Sequence, residues 1–318
     1  MTVYGTTSQP APHQRPRRGS SRLAHVARWG LAVLGGLAVA LVLAEAAAAQ
    51  EVAGDLTNEF RLAAGDWVAR LRPLAQRTFA LLAGIEFAVS AAVWGLKRET
   101  FDGVLGQFFL KVALVSFLFM CLTFFDTWIP AIVTSFVTAG QTAAGVAELN
   151  PTEVLELGLD LYGGMMEQMM GLGMLLDPAA TFAAVWGGFV ILIAFGVIAA
   201  QLVILLIESY IAVTAGVFFL GFAAFRGTAS FTDRYLVWAV GVGVRLFLIY
   251  LIIGIGMGVA ETWTAYLADI GSLDYFAAFR VVMGALVFAL VAVIIPNRTA
   301  NYLLNGASFG LAEAVKMR

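Results

Sequence analysis

The chain is poor in the residues that acid–base and metal chemistry need. Its 318 residues include two histidines and one cysteine. The histidines, His13 and His25, fall in an N-terminal stretch with the composition of a targeting segment, and Cys121 stands alone in an apolar run. A single cysteine excludes an intrachain disulfide, and one thiol without imidazoles cannot build a zinc site. No GxxxxGK[ST] phosphate loop occurs. Charge is scarce too, at 13% of residues, where a soluble domain carries about 25%. Positive charge is absent altogether between Lys111 and Arg226. These absences argue against an enzyme, and neither a cofactor nor a metal is expected.

Apolar sequence is what the chain has in excess. Hydrophobic residues make up 61% and the mean hydropathy is +0.88. Apolar runs of about 18 or more residues read as membrane-spanning helices, because lipid leaves backbone amides no partner outside their own helix. The expected fold class is all-α: a polytopic helical integral membrane protein with about five mature transmembrane helices plus amphipathic periplasmic helices.

Residues 1–49 open with Arg15, Arg17, Arg18, Arg22 and Arg28, then a short apolar run and an alanine tract ending at Gln50. They read as a signal peptide or as a first N-terminal membrane helix, and both place Gln50 outside the cytoplasm. In residues 50–78, Phe60, Ala63, Ala64, Trp67, Leu71 and Leu74 recur at helical spacing. This periplasmic amphipathic segment lies on the outer leaflet or against a partner, or packs on the chain's own bundle. Residues 79–125 form the first transmembrane hairpin, with Lys97 and Arg98 marking its turn as cytoplasmic. Glu86 and Lys111 are the ionisable groups in its apolar runs; they can pair, but Lys111 snorkelling to the inner interface is the simpler account.

Residues 126–180 carry Asp126, Glu148, Glu153, Glu156, Asp160, Glu167 and Asp177 and no cation, so they read as a periplasmic helical loop. Asn150-Pro151-Thr152-Glu153 has the form of a helix start. Beyond it an acidic stripe opposes Leu155, Leu159, Tyr162 and several methionines. Met165, Met166, Met169, Met170 and Met174 are either an adaptable contact surface for a partner or sister subunit, or packing against the chain's own spans.

Residues 181–296 form the transmembrane core. Phe182 to Phe225 has the length for two spans. Arg226 and Arg234 after it, and the acids Glu261, Asp269 and Asp274 further on, ask for one net crossing. Six spans, with Arg226 and Arg234 outside, is the other arrangement. Arg245 stands inside an apolar run, where a charge costs ~2.5–3.5 kcal/mol on insertion scales, and Glu208 is its nearest candidate partner. Glu86, Lys111, Glu208 and Arg245 form a candidate intramembrane polar seam, at a subunit interface or along a central path; the alternative is buried pairing that sets helix register. Gly254 and Gly258 form a GxxxG, a candidate for helix–helix packing. The last span is expected to stop at Pro296, leaving residues 297–318 as a short cytoplasmic tail.

Four stretches carry a family likeness: LLAGIEFAVSAAVWGLKR (81–98), TWIPAIVTSF (127–136), NPTEVLELGLDL (150–161) and GVFFLGFAAFRGTASFTDRYLVWAVGVGVRLFLIYLIIGIG (216–256). The chain resembles the TrbL family, polytopic inner-membrane proteins of P-type conjugative type IV secretion systems. The resemblance implies a multi-pass protein of the bacterial inner membrane, its mature N-terminus periplasmic and its C-terminus cytoplasmic. It implies a non-enzymatic scaffold or channel component of a conjugative DNA-transfer apparatus, here expected to form rings. The implied partners are the pilin, the assembly ATPase, periplasmic core proteins, further copies of itself, membrane lipid and, transiently, transferred single-stranded DNA. A secondary transporter with a mid-membrane site near Glu208 and Arg245 is the alternative, although no internal repeat accompanies it.

Overall fold

Each apolar run becomes helix in the computed structural model, which describes residues 20–97, 101–146, 150–167, 178–269 and 275–315. The described residues contain no strand. The helices are α1 (Ser20–Lys97), α2 (Phe101–Thr123), α3 (Phe125–Ala144), α4 (Pro151–Glu167), α5 (Pro178–Leu220), α6 (Ala229–Asp269), α7 (Tyr275–Leu304) and α8 (Leu311–Val315). Among the described residues, five stretches are long and apolar enough to cross a membrane: Gly54–Leu96, Phe101–Thr123, Ala184–Leu220, Ala229–Tyr266 and Ala278–Leu304. The protein is therefore an all-α, polytopic membrane protein.

The apolar segment from Phe182 onward lies in one unbroken helix of 43 residues. The two-span division required by the six-span arrangement is absent. Its polar interruptions are satisfied in place. Buried Ser209 donates to the Leu206 carbonyl at 2.6 Å, and Glu208 pairs across to α6, so nothing forces a turn.

Two apolar clusters are stacked along α5 and α6. One joins α4, α5, α6 and α7 around Tyr162, Met165, Phe195, Leu202, Leu246 and Val281. The other joins α1, α2, the start of α3 and α8 to the α5–α6 turn, around Ala75, Phe79, Leu122, Phe125, Leu220 and Val315. On α1 the buried line runs through Ala64, Ala75 and Phe79. It is rotated from the expected stripe, because Trp67 and Leu74 are 39% and 52% exposed. Small residues let α1 approach α5 closely, and the larger ones turn outward.

Within residues 126–180, the described helices α3 and α4 pack along the spans. α3 runs parallel to α6 and has its most extensive contact there, and α4 runs antiparallel along α5. α4 begins at Pro151, with the Glu153 amide on the Asn150 carbonyl at 3.1 Å. Its Glu156, Asp160 and Glu167 are exposed, while Leu155, Leu161 and Tyr162 are buried. α3 ends in a Schellman turn: Gly145 takes φ 72°, and the Val146 amide reaches back to the Gln141 carbonyl at 3.1 Å.

Three site expectations change here. Met165 and Met166, at 0% and 9% exposure, are core side chains packed among α5 and α7 rather than a surface for a partner; Met169, Met170 and Met174 lie outside the described residues. Gly254 packs against Ala144 of α3, whereas among the described residues of this chain a side chain at Gly258 would meet nothing within 4 Å, so the two glycines do not share a helix partner within the chain. Pro296 does not end the last helix, because α7 continues to Leu304. A proline deprives the carbonyl one turn back of its donor, and next to that break Asn297 donates its side-chain amide to the Val293 carbonyl at 2.9 Å.

Candidate functional site

The most completely buried ionic group lies where α1, α2 and the α5–α6 turn meet. Continuing the buried line of α1 past Phe79, the next inward positions are Glu86 and Ser90, at 0% and 1% exposure. A buried carboxylate is stable only when its oxygens are well supplied with donors. Lys111 of α2, 7% exposed, donates to Glu86 Oε1 at 2.6 Å and also to Ser90 Oγ. Arg226 donates from Nε at 3.0 Å and Nη2 at 2.7 Å to Oε1, and from its backbone N–H to Oε2 at 3.1 Å. Its Nη2 also reaches Ser90 Oγ at 2.8 Å. The Ser90 hydroxyl donates to the Glu86 carbonyl at 2.7 Å, leaving its lone pairs for the two cations.

The turn is built to present Arg226. Thr228 Oγ1 donates to the Phe222 carbonyl at 2.8 Å, and the Ala229 amide closes on the Phe225 carbonyl at 2.8 Å. That curl aims the Arg226 amide and guanidinium at the same carboxylate. Two cations meet one anion, and the Lys111 ammonium also stands 6.0 Å from the centroid of the Trp94 ring, a weak cation–π contact. Every side of the carboxylate is taken, so the cluster clamps three elements rather than offering a site for proton transfer.

Glu208 and Arg245 meet on α5 and α6, Nη2 to Oε1 at 2.7 Å, with 23% and 18% of their side chains exposed. Trp238 Nε1 donates to the same oxygen at 3.2 Å, and Arg245 Nε reaches the Gly241 carbonyl at 3.3 Å. Glu208 lies twelve residues before the end of α5, about 18 Å of helix. The four expected residues thus form two separate clusters, not one seam. Lys111 does not snorkel outward; it turns in to Glu86.

Ser90, Arg226 and Trp238 were not foreseen. Ser90 was legible as the residue one helical turn after Glu86. Arg226 was read only as a cation marking a membrane side, and nothing local ties it to a partner 140 positions away.

Fourteen residues before Glu86 on α1, Arg72 pairs with Asp126 of α3 at 2.8 Å, their side chains 35% and 53% exposed. The Arg72 hydrogen bond holds the Asp126 carboxyl below its ordinary range, against a smaller opposing effect of burial. Among the described residues no group of three or more His, Cys, Asp or Glu has metal-site geometry.

Residues 78–295, which contain both charge clusters, match the family model described as TrbL/VirB6 plasmid conjugal transfer protein. The chain belongs to this family. Among curated relatives, it is 28% identical over 267 residues to a probable conjugal transfer protein TrbL of Sinorhizobium fredii (strain NBRC 101917 / NGR234). That match takes in 82% of this chain and 66% of the relative. It is 26% identical over 264 residues to a conjugal transfer protein TrbL of Rhizobium radiobacter, across 82% of this chain and 64% of the relative. The chain spans just under two thirds of the length of both relatives. The matched region begins beside Phe79 on α1 and ends beside Pro296 on α7, so it takes in the first apolar cluster, most of the second and the Glu86 clamp.

Proposed function

We propose that this protein is a non-enzymatic membrane platform of a conjugative type IV secretion apparatus. The family match over residues 78–295 carries this reading. The internal pairing of both charge clusters supports it, since ionisable groups that are mutually satisfied serve architecture better than turnover. On this reading, several copies form a ring in the inner membrane and contact the pilin, the assembly ATPase and the periplasmic core.

The arrangement of charge supports a sidedness. Arg226 and Arg234 flank the start of α6, and Glu261 and Asp269 lie at its far end. With the basic end inside, the mature N-terminus is periplasmic and the C-terminus cytoplasmic. Cysteine accessibility at positions near Arg234 and Glu261 tests that orientation from the two sides of the membrane.

The function is tested by deleting the gene and complementing it with wild type, Arg245→Ala, or the exchange Glu208→Arg with Arg245→Glu. Conjugative transfer and membrane abundance are scored together. Transfer should vanish on deletion and return with wild type. Unchanged transfer on deletion would remove the secretion role and favour a transporter using the Glu208–Arg245 site. Recovery by the exchanged pair after loss in Arg245→Ala would assign the pair to helix register.

A further inference from the structure

Arg280 is the only Lys or Arg between Arg245 and Arg298. It lies on the exposed side of α7, inside the membrane-length stretch Ala278–Leu304, and has no polar partner among the described residues. On the sidedness above it is a cation near the outer end of a span, where arginine is disfavoured and calls for a counter-charge. α4 carries one at the same height. Met165 of α4 and Val282 of α7 both come up against Gly187 of α5. Glu167 and Arg280 each stand two residues beyond those contacts toward the outer end, so they are level to within about one helical turn. Glu167 is exposed and likewise unpaired among the described residues. Lower on the same face Asp160 is exposed, just past Gly158, which meets Phe195, the ring partner of Phe288 in the α7 span. A carboxylate at that depth is costly to cover with lipid, so this face of α4 meets something polar.

Resting on the ring reading above, we propose that the outer face of α4 in one copy receives α7 of the next, with Arg280 on Glu167. α4 and α7 each pack against both α5 and α6 and have little contact with each other, so they stand at opposite corners of the bundle. Their outer faces point apart, and within one copy the two charges are not paired. The complement to each is therefore found on a second copy. Because the contact joins two different faces, it repeats head to tail. Because both faces lie at one height in one membrane, repetition closes into a ring instead of climbing into a filament. Gly163 and Gly164, where a side chain would meet no described residue within 4 Å, leave α4 open to a close neighbour one turn below Glu167. Asp160 remains beside the pair and adds to the negative potential that draws the guanidinium.

The test uses the full-length chain in membranes, carrying Cys121→Ser so that introduced cysteines are the only thiols. Glu167→Cys and Arg280→Cys are placed in separately tagged copies, co-expressed and oxidised. The mixed pair should form at least tenfold more interchain disulfide than either variant alone, because like positions do not face each other in a head-to-tail contact. No crosslink in the mixed pair, or equal crosslinking of Arg280→Cys with itself, would overturn the proposal. Oligomer size by native mass spectrometry separates this contact from the ring itself. Arg280→Glu and Glu167→Arg should each lower the oligomer fraction about tenfold, and the two together should restore it. The cysteine pair decides the matter if a reversed charge keeps a variant out of the membrane. A wild-type ring that persists in both single variants would overturn this contact and leave the ring standing. A wild-type monomer would overturn both.

Discussion

Glu86→Gln should destabilise the protein far more than Lys111→Met, although each removes one member of the same ion pair. Among the described residues Glu86 is the only anion in its cluster and is fully buried, while Lys111 and Arg226 are 7% and 26% exposed. Glutamine keeps the shape and one carbonyl acceptor but leaves two cations without a counter-charge. Removing one partner of a buried pair costs about 3–5 kcal/mol in soluble proteins. Hydrogen bonds between membrane helices average nearer ~0.6 kcal/mol because the unfolded chain also finds partners. The cluster spans three elements through charged bonds, so the upper range is the better guide, at about 3 kcal/mol. Lys111→Met removes one charged hydrogen bond, leaves the carboxylate held by the Arg226 side chain and backbone, and puts an apolar side chain against Trp94; a loss of ~1 kcal/mol is expected. The double variant should then be more stable than Glu86→Gln alone, since one of the stranded cations is gone. Thermal unfolding in detergent, followed by tryptophan fluorescence, gives all three values. If Lys111→Met costs as much as Glu86→Gln, or if the two losses simply add, the carboxylate is not the centre of the clamp.

Three other substitutions test the packing and the rim. Gly254→Leu should drive α3 off α6 and lower membrane abundance several-fold, while Gly258→Leu, facing open space, should leave abundance near wild type; immunoblots of membrane fractions distinguish them. Met165→Ala, at a fully buried site, should cost about 2–5 kcal/mol as a cavity in the α4–α5–α7 core, and an unchanged melting temperature would return that methionine to the surface. Asp126 has its folded pKa lowered by Arg72, so its contribution is complete above the ordinary aspartate value and is lost as pH falls through the folded one. Asp126→Asn should therefore flatten the acid limb of a melting-temperature profile, only slightly because the pair is half-exposed; a wild-type limb identical to the variant's would remove the pair from the stability of the fold.

Hydropathy and charge spacing sufficed for much of this protein. Apolar runs of span length became helices because lipid-facing backbone has no other way to satisfy its amides, and the cation-free middle separated the hairpin from the core. Asn150-Pro151 marked the start of α4, since a proline without an N–H costs nothing at the first helical position. Glu208 and Arg245 were recognisable as partners because a charge in an apolar run must find its opposite on a neighbouring helix. Such inferences concern single segments and which of them leave water. Only the tertiary structure decided which faces meet. It placed Arg226 on Glu86, laid α3 and α4 along the spans, set Gly254 against Ala144 and left Gly258 open, and buried Met165. Those outcomes depend on complementary shape and donor geometry between residues far apart in the chain. A one-dimensional pattern of apolar and charged residues does not encode that relation.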